Sequence, residues 1–202
     1  MIQRSEEWFS ARLGKVTASI VADIMATTKS GPAASRTNAL ARVVCERLTG
    51  QRQDEYTNGA MQWGIDNEPA ARDSYSALTG ELIDEVGFVL HPSISDFGCS
   101  PDGLVGESGL VEIKCPMTAT HIQYLTERKV PGKYQLQMLA QMACTGRGWC
   151  DFVSFDPRMP ERLQLVVIRF ERDNNRISEI DKEVISFLSD VDETIQKLEA
   201  IK

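Results

Sequence analysis

Residues 98–116 read Gly-Cys-Ser-Pro-Asp-Gly-Leu-Val-Gly-Glu-Ser-Gly-Leu-Val-Glu-Ile-Lys-Cys-Pro. Two apolar pairs, Leu104-Val105 and Leu110-Val111, flank Gly106, Glu107, Ser108 and Gly109, so the segment predicts a β-hairpin with a four-residue loop. Asp102 heads the first strand. In the second, the period of two places Glu112 and Lys114 on one face and Val111, Ile113 and Cys115 on the other. The apolar face is expected to enter a core and the charged face to line a cleft. If Asp102 and Glu112 converge across the hairpin, their hard oxygens suit Mg²⁺ or Mn²⁺, which bind through one or two carboxylates plus phosphate oxygens. A lysine two residues after the glutamate reaches the same place, where it can orient a water or stabilise charge on a phosphate. The chemistry this suits is phosphodiester hydrolysis.

Outward from the hairpin, the chain is ordinary for one globular domain: 202 residues, 42% apolar and 25% charged. Five cysteines at positions 45, 99, 115, 144 and 150 form no Cys-x-x-Cys pair and read as reduced thiols used as small hydrophobes. His91 and His121 have no metal-ligand spacing. No apolar run approaches a membrane span and no leader is read, so a cytoplasmic protein is expected. No Gly-rich phosphate loop implies ATP. The net charge of −7 weighs against a nucleic-acid partner, but its distribution softens that objection. Residues 1–60 carry 8 basic and 6 acidic side chains, whereas 173–202 carry 4 basic and 8 acidic ones. A local basic channel can therefore coexist with an acidic exterior.

The elements expected before the hairpin are a helix capped by Ser5, a short helix opened by Thr17 or Ser19 and running to about Met25, and a basic loop over 28–38. A helix over 38–48, an exposed polar loop over 51–58 that grips duplex or merely links, and a long helix over 59–78 with a kink at Pro69 complete this half. Residues 81–91 read as the first sheet strand. After the hairpin, Thr118 is expected to cap a helix to about Glu127, Pro131 to start another, and strands to cover 149–155 and 163–170. A final helix from about Asn174 carries an apolar stripe from Ile177 to Leu198.

Pro101-Asp102 followed by Glu112-Ile113-Lys114 is the PD-(D/E)XK pattern. The wording around it, Cys99-Ser-Pro-Asp-Gly-Leu104 and Glu112-Ile-Lys-Cys-Pro116, resembles the phage lambda exonuclease type of alkaline nuclease, the YqaJ-like viral recombinase group of that superfamily. The resemblance extends to Arg12-Leu-Gly-x-x-Thr-Ala-Ser19, to Trp63-Gly-x-x-x-Glu68, and to Tyr134-x-x-Gln137. It implies an α/β (α+β) fold with a restriction-endonuclease-like core, a mixed sheet flanked by helices, in a single exonuclease domain over 1–202. It further implies a Mg²⁺-dependent 5′-to-3′ exonuclease that digests linear double-stranded DNA from 5′-phosphorylated ends to mononucleotides, leaving 3′ overhangs for recombination by annealing. Asp102 and Glu112 would be the principal ligands of a two-metal site that Mn²⁺ can also fill. The Ile113 carbonyl is a possible third ligand, and Glu68 completes the site directly or through water. Lys114 and Gln137 would orient the attacking water, with Gln135 a competitor for the second role. Arg12, Ser19 and Ser100 would hold the 5′-phosphate. A ring-shaped homotrimer, a single-strand annealing protein as partner, and a phage or prophage origin within a bacterial cytoplasm are implied on the same ground. Two other readings stay open: an endonuclease on the same core, and a non-catalytic DNA-end-binding protein.

Overall fold

Capped helices stand near both ends of the chain, and a five-stranded sheet is built around residues 109–114 between them. The structure is a computed structural model that describes residues 1–29, 31–53 and 59–201. α1 (Glu6–Arg12) starts where the Ser5 hydroxyl accepts the Trp8 amide at 3.3 Å. β1 (Val16–Thr17) passes through a 3-10 turn at Ala18–Ile20 into α2 (Val21–Ile24). A small hairpin, β2 (Thr27–Thr28) and β3 (Gly31–Pro32), precedes α3 (Ala34–Thr49). α4 (Gly59–Thr79) is followed by β4 (Ile83–Asp84), β5 (Val89–Leu90) and β6 (Phe97–Cys99). The central hairpin is β7 (Gly103–Val105) and β8 (Gly109–Lys114). Then come α5 (Thr118–Glu127), α6 (Gly132–Thr145), β9 (Trp149–Phe155), β10 (Leu165–Glu171) and α7 (Asn174–Glu199).

Five strands pair in the order β10-β9-β8-β7-β4, all antiparallel except for β8 with β9. A second sheet of order β1-β6-β5 runs beside it, with β1 parallel to β6. The parallel pair β8-β9 needs a long crossover, and α5 and α6 supply it. Side chains alternate across β8 and β9, so each sheet face has its own core. Leu110, Cys150 and Phe152 pack with residues of α2, α3, α6 and α7, while Val111, Ile113, Val153 and Phe155 pack with Ala71 and Tyr75 of α4. A polar clip holds α4 to the sheet: the Tyr75 hydroxyl donates to Asp151 at 2.8 Å, and Arg169 grips the same carboxylate at 3.0 Å through two nitrogens. The mixed sheet flanked by helices is the expected architecture.

Several local expectations change. The segment 28–38 is not one loop: Thr27–Thr28 pairs antiparallel with Gly31–Pro32, and Arg36 lies in the first turns of α3. Its guanidinium donates to the Ile24 carbonyl and pairs with Glu183 and Asp190 of α7, so it braces three helices. Residues 81–91 divide into β4 and β5, which belong to different sheets. Helix α4, in contrast, runs over Gly59–Thr79 through Pro69, as expected for 59–78. Thr118 does not cap α5; its hydroxyl donates to Asp156 at 2.6 Å and Met117 takes the cap position. Of the expected loop over 51–58, residues 54–58 lie outside the described residues. Along α7, Ile177, Ile180, Val184, Phe187 and Val191 are buried in the larger core, and Leu198 is exposed.

Candidate active site

Gly106, at φ 51°, closes the β7-β8 turn over three residues instead of four, and the register sets Gly103 opposite Val111. Asp102 therefore falls just beyond the paired part of β7, beside the continuing β8. One of its carboxylate oxygens accepts the Ile113 amide at 2.6 Å. The period of two holds, but the charged face of β8 is not an open cleft: α6 covers it, and Glu112 is completely buried. A carboxylate with no water is costly unless its oxygens are paired. Here Gln137 donates to Oε1 at 2.7 Å, Gln141 donates to Oε2 at 2.6 Å, and the Lys114 ammonium pairs with Oε1. Lys114 itself is partly exposed and approaches the Tyr134 ring at 5.3 Å.

Burial, and then the charge of Glu112, push the Asp102 carboxyl up to about 7, against the opposing pull of Lys114 and the Ile113 amide. Burial works against the Lys114 ammonium, yet Glu112 and Asp102 outweigh it and hold its pKa above the ordinary lysine range. At Asp102 the native state keeps a proton that the unfolded chain gives up near pH 3.8, so this group's contribution to stability falls as pH rises from there to about 7 and is flat above. A divalent ion at this site must displace that proton, so apparent Mg²⁺ affinity is expected to rise as pH climbs through about 7. Thermal midpoints against pH in EDTA and in Mg²⁺, for the wild type and for Asp102→Asn, test this. The wild type should lose stability relative to the variant over that window only when metal-free; parallel curves would reject the assignment.

The residues expected at the 5′-phosphate come together. Arg12, Ser19 and Ser100 line one cavity of about 130 Å³, and Gln137 and Gln141 line the same cavity. The parallel pairing of β1 with β6, Thr17 opposite Gly98, sets the turn bearing Ser19 beside Ser100. Ser100 Oγ accepts from Trp8 Nε1 at 2.8 Å and from Arg12 Nη1 at 3.1 Å. The Arg12 guanidinium lies 4.0 Å from the Trp8 ring centre, and the Ser19 and Thr17 hydroxyls are 3.0 Å apart. Gly14, at φ 67°, turns the chain between Arg12 and Val16. Its amide donates to Glu46 and its carbonyl accepts from Arg47, which fixes that turn to α3.

Glu68 is engaged by two arginines. Arg72 and Arg4 hold its two oxygens at 2.6 and 3.1 Å, although its charge still acts on Asp102. Among the described residues, no group of three or more His, Cys, Asp or Glu side chains gathers as a ready metal cluster. The oxygen donors present, Asp102, Glu112 and the Ile113 carbonyl, nevertheless fit a hard dication, and the mutual repulsion that raises Asp102 is what such an ion relieves. Gln135 and Gln137 separate cleanly: Gln135 donates to the Val130 carbonyl and accepts from Arg176, away from Glu112. Gln141 is the residue that sequence reasoning did not assign to the site. Its position four after Gln137, on the same helix face, was the available signal. His121 is structural, bonded to Ser154 and to the Leu163 carbonyl.

An aspartate set beside a Glu-x-Lys strand of a mixed sheet, with a helix laying glutamines on the glutamate, defines the core of a PD-(D/E)XK nuclease. The chain belongs to the YqaJ-like viral recombinase domain family, whose profile matches residues 7–148. The fold superposes on the crystal structure of an alkaline exonuclease from Laribacter hongkongensis with a TM-score of 0.90 and 53% identity, covering 96% of both chains. The same exonuclease in complex with dAMP gives a TM-score of 0.91 at 53% identity, again over 96% of each chain. A phage-related exonuclease from Haemophilus somnus 129PT shares the fold at 18% identity and a TM-score of 0.72, over 91% of this chain and 96% of that one. No curated protein matches the sequence.

Proposed function

We propose that the chain is a single-domain, Mg²⁺-dependent exonuclease that digests linear double-stranded DNA 5′ to 3′ from phosphorylated ends. It releases mononucleotides and leaves 3′ overhangs for recombination by single-strand annealing. The observation that carries this reading is the shared cavity, in which Arg12, Ser19 and Ser100 stand beside the Gln137 and Gln141 amides that hold Glu112. A phosphate-holding corner next to the hydrolytic group measures cleavage from the end of a strand. The dAMP bound by the Laribacter hongkongensis exonuclease accords with a mononucleotide product.

Asp102, Glu112 and the Ile113 carbonyl would hold Mg²⁺, or Mn²⁺ in its place, with Glu68 serving a second ion or its waters once released by Arg4 or Arg72. When bound, the ions supply positive charge to the attacked phosphate and its leaving oxygen. The Arg12 guanidinium presents N–H groups to the terminal phosphate in a charge-assisted contact, and the Ser19 and Ser100 hydroxyls add hydrogen bonds. Lys114 remains an ammonium and therefore donates; it orients the water and answers negative charge on the phosphate, and takes up no proton. The Gln137 amide carries two donor hydrogens, one for Glu112 and one for the water or the scissile phosphate. Family membership further supports a ring-shaped homotrimer, an annealing-protein partner, and a phage or prophage origin with action in a bacterial cytoplasm.

The test offers linear duplex with a 5′-phosphate or a 5′-hydroxyl, in Mg²⁺ or EDTA, and follows nucleotide release. Release is expected only with Mg²⁺, and faster from the phosphorylated end by about tenfold or more, the worth of one charge-assisted contact. Arg12→Gln should erase that preference. Cutting of closed circles would replace this reading with an endonuclease, and binding without cutting would replace it with an end-binding protein.

A further inference from the structure

We infer that the exposed basic turn between α5 and α6, with Arg128, Lys129 and Lys133, docks the DNA backbone and takes phosphates of the attacked strand on the 3′ side of the cut. The inference rests on the nuclease reading above. Over residues 115–149 the chain carries Arg128, Lys129, Lys133 and Arg147 against a single carboxylate, Glu127. Arg147 is taken up by the carbonyls of Val105, Gly106 and Gly109, and Glu127 accepts the Gln123 amide at 2.8 Å. Arg128, Lys129 and Lys133 are exposed, and none of them pairs with a carboxylate among the described residues. Cations elsewhere behave differently: Arg4, Lys15, Arg36, Arg47, Arg72 and Arg169 each meet a carboxylate within hydrogen-bond distance. An unpaired trio of cations, in a chain of net charge −7, is a surface that phosphates recognise.

The turn is anchored, and it stands beside Lys114. Val130 is buried, and its carbonyl accepts from the Gln135 side chain at 2.8 Å, while the oxygen of that side chain accepts from Arg176 of α7 at 3.0 Å. Arg128 closes α5 at φ 47°, in the left-handed region, whereas α3 and α6 end there with Gly50 and Gly146. A charged side chain is thus kept at a position where glycine is least strained. Lys133 and Lys114 approach the same Tyr134 ring, at 4.6 and 5.3 Å, so one aromatic ring joins the basic surface to the Glu112–Lys114 pair. Helix α6 sets the direction. Gln137 and Gln141 line the 5′-phosphate cavity, which no residue of the turn borders, and Lys133 precedes Gln141 by about 12 Å of helix at about 1.5 Å per residue. A strand fixed by its terminal phosphate and crossing Glu112 and Lys114 therefore continues toward the turn, over a span of roughly three phosphates at about 3.4 Å each.

Nucleotide release from 5′-phosphorylated duplex in Mg²⁺, at DNA well below KM, is followed across KCl for the wild type and for Lys129→Gln combined with Lys133→Gln, both at exposed positions. The double variant should run about tenfold or more slower at low salt with an unchanged thermal midpoint. Its log–log salt slope should be shallower by about two, and that of each single substitution by about one, for each lost phosphate contact. Neutral methylphosphonate linkages then identify the strand. Placed just 3′ of the first cut in the attacked strand, they should slow the wild type about as much as the double substitution does and slow the variant little further, since both remove the same contacts. Placed at the same depth in the complementary strand, they should slow both proteins alike. The reverse pattern would move the turn to the other strand and overturn the assignment. Equal salt slopes, with Mg²⁺-dependent release intact, would overturn the docking surface alone. No Mg²⁺-dependent release by the wild type would overturn the nuclease reading, and the docking surface with it. A smaller assembly of the variant in sedimentation would make the turn a contact between copies of the chain instead.

Discussion

Glu112→Gln is expected to lower nucleotide release at least about a thousandfold while the protein stays folded. The substitution changes one oxygen to an amide nitrogen and almost nothing in shape. The remaining oxygen can still accept from Gln137 or Gln141, and the other glutamine can turn its own amide to accept from the new N–H. With the amide oxygen at the Oε1 position, that oxygen accepts from both Gln137 and Lys114, so the buried atoms stay paired. The ammonium that loses its anion is partly exposed and can turn to water, and a neutral group there removes the cost of an enclosed carboxylate. The thermal midpoint in EDTA should stay level or rise. What disappears is the anion facing Asp102, and with it the negative charge that gathers a dication. The Mg²⁺ concentration needed for residual activity should climb, and the Asp102 carboxyl should fall back toward the usual carboxylate range because its charged neighbour is gone. A variant that cuts at the wild-type rate in ordinary Mg²⁺ would remove Glu112 from the chemistry altogether.

The contrast between what sequence disclosed and what it hid follows from how far each signal reaches. Asp102, Glu112 and Lys114 were legible because strand alternation and a short turn are local, and their register on β7 and β8 leaves few alternatives. Helix α7 and strand β9 were read to the residue at one end or both, since a stripe at spacings of three and four and a run of β-formers are strong within a few turns. The residues around Arg36 have the composition of a loop, whereas its partners Glu183 and Asp190 lie far along the chain on another helix, out of reach of any local pattern. Residues 81–91 hide the passage from one sheet to the other, which no local pattern marks. Burial of Glu112 under α6 and the turn of Glu68 toward Arg4 and Arg72 are tertiary facts of the same kind. Gln141 stands between the cases: its helical phase with Gln137 was visible, but only the packing of α6 on β8 turns that phase into a second donor for Glu112.

Lys114→Met should separate catalysis from metal binding. Methionine keeps the length and the apolar stem and removes only the ammonium, so the Glu112 Oε1 atom retains Gln137 but loses its charged partner. Without metal the variant is expected to be less stable by up to about 3 kcal/mol, the lower part of the cost of breaking a buried pair, because Lys114 is itself partly exposed. Asp102 also loses the cation that lowers its pKa, and it should hold its proton to still higher pH. Added Mg²⁺ meets two carboxylates with no ammonium beside them, so affinity for the ion above that pH should be unchanged or tighter, and most of the lost stability should return. The rate should not return. A metal does not replace the donor that the proposed function assigns to Lys114, for the water and the charge on the phosphate, and kcat is expected to remain about 10²–10⁴-fold low at saturating Mg²⁺. The pair of variants therefore diverges in one measurement, rate against Mg²⁺ concentration: Glu112→Gln shifts the curve to higher metal and lowers it, and Lys114→Met lowers it without the shift. Full recovery of Lys114→Met at high Mg²⁺ would mean that the lysine only helps to gather the ion, and its assigned part in the hydrolysis would fall.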